Sequence, residues 1–265
     1  MFGFPKAERS DIEGHKRHYL KSVIFQVKFE ATDEIGKNKD GIASIFKDQF
    51  PRANDLKQGQ FEVSFKVDET PIIQSVNQKG AGFQLKPLDG LKVFSFTEDA
   101  ISLTISGNVY KGFDNIKDNI IHLIEVFKLC KITSFNRVAI RKLNIIEFEV
   151  EDSIENQINP MQILELIINP SLIGNTTYFP QSECVIRNIH TINYSKDKNR
   201  LNLRYGLVVP DVTIKKGQIL VDIDLFTVDN VSVDSLESLS FEINSEIFNI
   251  FNWAISEGAR KKLRE

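Results

Sequence analysis

The chain has 265 residues, 42% hydrophobic and 26% charged, a balance that excludes a disordered chain and leaves room for one large domain or two modest ones. Its net charge of −3 and pI of about 5.9 supply no global basic field, so non-specific nucleic-acid binding is not favoured. No run approaches the roughly 18 consecutive apolar residues of a membrane span, and the charged N-terminus lacks the apolar segment of a signal peptide, so a cytoplasmic protein is expected.

Residues 1–20 are polar and predict a loose arm. "SVIFQVKFEA" (22–31) alternates, with Val23, Phe25, Val27 and Phe29 on one face, and predicts a half-buried strand. "IASIFKDQF" (42–50) has apolar residues at helical spacing, Asp40 in position to cap it and Pro51 to stop it. "QFEVSFKV" (60–67), "GAGFQLKPL" (80–88), "LKVFSF" (91–96) and "AISLTIS" (100–106) are short and alternating. The turn signals at 89–90 and 98–99 predict an antiparallel meander. "FDNIKDNIIHLIEVFKLC" (113–130) carries an apolar stripe through Ile116, Ile120, Leu123, Ile124 and Phe127, with Asp114 as cap, and predicts a long helix.

"FNRVAIRKLNIIEF" (135–148) follows as a strand. Regular alternation puts Phe135, Arg137, Ala139, Arg141 and Leu143 on one face, and Val138, Ile140, Lys142, Asn144 and Ile146 on the other. The polar stretch 151–160 marks a joint between two halves, 21–152 and 153–265. The second half begins with a helix over 159–167, Asn159 capping and Pro160 at its first position. Strands fit 184–194, 200–209 and 217–228, and a long amphipathic helix fits 234–263, with Asp234 and Glu237 at capping-box spacing. Strands clustered between helices predict an α+β fold of antiparallel sheets, each backed by a long helix. The matching order of elements admits a degenerate duplication, although no residue repeat aligns.

Local signatures of chemistry are sparse. Cys130 and Cys184 lie far apart and form neither a zinc motif nor a disulfide framework. His15, His18, His122 and His190 belong to no ligand or triad pattern, and no glycine-rich phosphate loop precedes a helix. Arg137 and Arg141 lie about 13 Å apart along their strand, a spacing suited to a larger anionic surface or to cross-strand carboxylates. Arg187 and Arg204 lie on the hairpin of the second half. In "LVDIDLF" (220–226), Asp222 and Asp224 share one strand face. Such a pair either holds Mg²⁺ or Mn²⁺ or pairs with Arg187 and Arg204.

Three stretches together, "HYLKSVIFQVKFE", "FNRVAIRKLNIIEF" and "LESLSFEINSEIFNIFNWAIS", resemble a sporadically distributed bacterial family of about this length with no assigned function. The resemblance runs over nearly the whole chain and rests on an Arg-x-x-x-Arg-x-x-Asn strand, here Arg137, Arg141 and Asn144. The chain departs from the family at Lys142, where an aromatic is usual, and in lacking a His in the last helix. The family's patchy distribution implies mobile-element or defence-associated loci. The expected function is a non-enzymatic binding or adaptor protein. It would present a sheet face with Arg137, Arg141, Asn144, Arg187 and Arg204 to a protein partner or a second copy of the chain. The alternative is a metal-dependent enzyme acting on nucleic acid or nucleotides through Asp222 and Asp224. A third reading is a small anionic ligand held between the halves.

Overall fold

The computed structural model describes residues 1–7, 19–56, 82–149, 160–174, 187–208 and 216–264. The first half runs β1 (Leu20–Lys28), α1 (Glu34–Lys37), α2 (Lys39–Ile45), β2 (Arg52–Leu56), β3 (Gly82–Lys86), β4 (Lys92–Thr97), β5 (Ala100–Ser106) and α3 (Asp114–Leu129). The second, which by the strand order begins at β6 and not after the expected joint at 151–160, runs β6 (Ser134–Phe135), β7 (Arg137–Glu149), α4 (Pro160–Ile167), α5 (Pro170–Ile173), β8 (Arg187–Lys196), β9 (Asn199–Val208), β10 (Lys216–Thr227), β11 (Val231–Ser232), α6 (Leu236–Ala254) and α7 (Glu257–Arg264). The segment at 60–67, the joint at 151–159, His15, His18 and Cys184 lie outside the described residues.

Both halves build one sheet. Its order is β2-β3-β4-β5-β1-β7-β10-β9-β8, antiparallel throughout. Each half follows one plan: a first strand, short helices, a meander whose last strand returns beside the first, then a long helix. β5 lies against β1 and β10 against β7, while β1 and β7 pair across the middle, with Phe25 opposite Ile140. This is the arrangement of a two-fold repeat. Local patterning left open whether the halves share a sheet; they do, because the two first strands, apolar on the same face, pair with each other.

Strand alternation sorts the side chains. Phe25 on β1, Phe94 and Phe96 on β4, Leu103 on β5, Ile140 on β7, Leu203 on β9 and Ile223 on β10 all face one side and are buried. They join one cluster to which every described helix contributes, including Ile42 from α2, Leu123 and Phe127 from α3, Leu164 from α4, Ile243 and Ile247 from α6, and Leu263 from α7. Burying each such side chain stabilises by about 1.5–3 kcal/mol. The opposite face, called the open face because no described helix packs on it, still keeps Ile24, Leu143 and Leu220 at 4–6% exposure. No described helix is long and apolar enough to cross a membrane.

Several local expectations change. Residues 135–148 do not alternate from their first residue. Phe135 pairs with Val231 in a separate two-stranded ribbon and packs against Phe127 in the core, ring centroids 4.8 Å apart. The ladder with β1 starts at Arg137, on the open side. Asp114 and Asp40 sit inside first turns and not at caps, and Ser235, not Asp234, precedes α6, with no side-chain cap bond. The predicted 234–263 helix breaks at Ile255, which is extended and bridges to Ile168. Ser256 then accepts from the Ala259 N–H at 3.0 Å to start α7. The Arg260 guanidinium donates to the carbonyls of Asn252 and Ile255, closing the end of α6. Residues 1–7 are not a loose arm, for Met1, Phe2 and Phe4 pack against the core.

Candidate functional site

The charged residues of β7 and β10 meet on the open face. Register sets Asp224 opposite Arg141 and Asp222 opposite Leu143, but the arginines lean along the strand and bond diagonally. Arg141 donates from Nε to Asp222 Oδ1 at 2.8 Å and from Nη2 to Oδ2 at 2.6 Å, a two-pronged, charge-assisted pair. Arg204, directly across from Asp222 on β9, brings Nη1 to 3.7 Å from Oδ2. Arg137 reaches both oxygens of Asp224 from Nη2 at 3.3 Å, and Asn202 Nδ2 donates to the same carboxylate at 3.3 Å. The Arg137 guanidinium also lies over the Phe226 ring, 3.6 Å from its centroid, a cation–π contact.

The two pairs differ in quality. Burial would pull the Arg141 guanidinium down, yet its bond to Asp222 carries it above the ordinary value. At the looser pair, burial prevails on both partners. It lowers Arg137 against the attraction of Asp224 and raises the Asp224 carboxyl against Arg137 and Arg141. Three cations on two carboxylates leave one net positive charge. Arg137 Nε and Gln26 Nε2, both on this face, are buried donors without a hydrogen-bond partner.

Other expected site residues lie elsewhere. Asn144 points to the helix side, is 6% exposed, and donates to the Val221 carbonyl at 3.2 Å, so it braces β7 against β10 and leaves the arginine group. Arg187 begins the edge strand β8 and is exposed, with no ion pair to Asp222 or Asp224. Those aspartates pair instead with Arg137, Arg141 and Arg204. With their oxygens already accepting from guanidinium groups, the two carboxylates form the electrostatic opposite of a cation site. The described residues hold no group of three or more His, Cys, Asp or Glu able to take a metal ion. His190 stacks on Tyr205, centroids 5.4 Å apart, and His122 packs against Phe46.

Lys142, expected opposite the arginines, does lie on the helix side. Its ammonium stands 5.2 Å from the Tyr110 ring centroid, and burial pushes its pKa down to about 8. Tyr110 in turn donates to Asn244 Oδ1 at 3.1 Å. Sequence patterning missed the role of Asn202, which becomes visible only once the β9–β10 register sets it across from Asp224.

Chemically, this arrangement is an array of guanidinium groups oriented by two carboxylates. No family model matches the chain, and no curated protein matches it.

Proposed function

We propose that the protein is a non-enzymatic binding or adaptor protein that contacts a protein partner through the open face of its sheet. The carrying observation is the pinning of Arg137, Arg141 and Arg204 by Asp222 and Asp224 while their side chains stay 23, 27 and 34% exposed. Arginines fixed in advance lose little conformational entropy on docking, and arginine is enriched among the residues that dominate interfaces. Around them the face offers the partly exposed Ser95, Thr104 and Asn202 as hydrogen-bonding groups. Nine strands at the usual spacing give it a width of roughly 40 Å. The family resemblance drawn from the sequence adds a bacterial defence or mobile-element setting to this reading.

Arg204 is the residue to perturb, because its 3.7 Å pair is the longest of the three and surface-like pairs contribute little to stability. Arg204→Glu, which sets a carboxylate across from Asp222, should lower the melting temperature and abolish capture of whichever protein co-purifies with the wild-type chain, and Arg204→Gln should weaken that capture with melting nearly unchanged. Light scattering distinguishes a second copy of the chain from a different partner. Retention of the same partner by Arg204→Glu and by Arg137→Ala would remove the open face from consideration.

A further inference from the structure

Residues 1–7 make contacts that a solvated tail would not. The rings of Phe2 and Phe4 meet Tyr194 edge-on, with centroids 6.1 and 5.9 Å away, and Phe4 also stands 5.0 Å from the Trp253 ring. The Phe2 backbone N–H donates to Glu246 Oε1 at 2.9 Å and the Ala7 N–H to Asn249 Oδ1 at 3.1 Å. Glu246, Asn249 and Trp253 follow i, i+3, i+7 spacing and form one stripe along α6. Tyr194 belongs to β8, the last strand of the sheet. The segment therefore lies in a cleft with a helix on one side and the sheet edge on the other.

This cleft is built as peptide-recognition sites are. Side-chain acceptors hold backbone amides, which any sequence offers, while aromatic walls read two rings spaced by one residue. Between those rings Gly3 has a φ of +82°, and a Cβ there would meet nothing within 4 Å. The left-handed backbone, not crowding, selects glycine at that position. Residues 1–7 belong to no strand or helix, and their rings are only partly buried. The segment can thus leave the cleft without withdrawing a core element.

We infer that the cleft between α6 and β8 is a peptide-docking groove for an aromatic-Gly-aromatic segment. In the free chain Met1–Ala7 fills it, and a protein partner carrying the same pattern takes its place. This groove is separate from the open face, so Arg204→Glu should not alter it.

Trp253 is the single tryptophan of the chain, so intrinsic fluorescence reports on the groove. In full-length protein, Phe2→Ser with Phe4→Ser should shift the emission to the red. The synthetic peptide MFGFPKA should reverse that shift saturably. Replacing both aromatic residues of the peptide by serine should weaken binding about tenfold or more, from the loss of three ring pairs. Wild-type protein should respond less than the double variant, because its own segment competes at roughly millimolar effective concentration. Unchanged emission in the variant, or a peptide without effect while far-ultraviolet circular dichroism stays native, overturns the inference. Should the double variant fail to fold, Phe4→Leu gives the same readings. A photo-crosslinking peptide on wild type should then label residues of α6 or β8, and labelling elsewhere is equally decisive against the groove.

Discussion

Replacing Asp222 by Asn tests whether the aspartates hold the arginines. The side chain keeps its size and loses its charge. Asp222 is 2% exposed and accepts both prongs of Arg141, with Arg204 at 3.7 Å. Breaking a buried ion pair by removing one partner costs about 3–5 kcal/mol, because the other charge stays desolvated. Two features bring the expectation to the lower end. Arg141 is 27% exposed and recovers some hydration, and Asn still accepts one hydrogen bond. A loss of about 3 kcal/mol follows, which for a chain of this size is a drop in melting temperature of roughly 6–12 °C. Asp224→Asn should cost clearly less, since burial already disfavours that carboxylate and raises its pKa. Thermal melting followed by circular dichroism at neutral pH, for both variants and for Asp222→Asn combined with Arg141→Gln, reads all of this. The double variant should be more stable than Asp222→Asn alone, because the stranded cation is gone. If Asp222→Asn melts with the wild type, the arginines are not pinned and the argument for a rigid array fails.

Three further outcomes follow from single residues. Lys142 has a folded pKa lowered to about 8 from 10.5, so the unfolded chain binds more protons between those values and stability rises with pH across that window. Lys142→Met should remove this rise and stabilise the protein by about 2–3 kcal/mol at neutral pH, as read by urea unfolding at several pH values; an unchanged pH slope would refute the burial of the charge. Gly206 has a φ of +147°, and an added Cβ would lie 1.9 Å from the Asn188 carbonyl oxygen on the neighbouring strand. Gly206→Ala should therefore cost about 3 kcal/mol or more, whereas Gly90→Ala, with a φ of +68° and open space, should cost about 1–2 kcal/mol in the same melts. The Cys130 thiol is pushed up to about 11, mainly by burial, so iodoacetamide at pH 8 should leave its peptide unlabelled by mass spectrometry until denaturant is added.

Much of this was legible from the sequence for a definite reason. Apolar spacing is local, so the stripe through Ile116, Ile120, Leu123 and Phe127 on α3 and the alternation through Val23, Phe25 and Val27 on β1 revealed each element and the face it buries. The same alternation placed Arg137 and Arg141 together on one side of β7, Lys142 and Asn144 on the other, and Asp222 beside Asp224. Phe135 escaped it because a two-residue ribbon with β11 turns its ring into the core before regular alternation begins.

Pairing between distant strands is not written in local spacing. That β1 and β7 would join two halves into one sheet, that Asp222 would meet Arg141 and Arg204 but not Arg187, and that Phe2 and Phe4 would find Tyr194 and Trp253 were decided in three dimensions. A residue's own periodicity tells which way its side chain points. Only the fold determines what waits across the ladder, since register there is set by the whole apolar face at once.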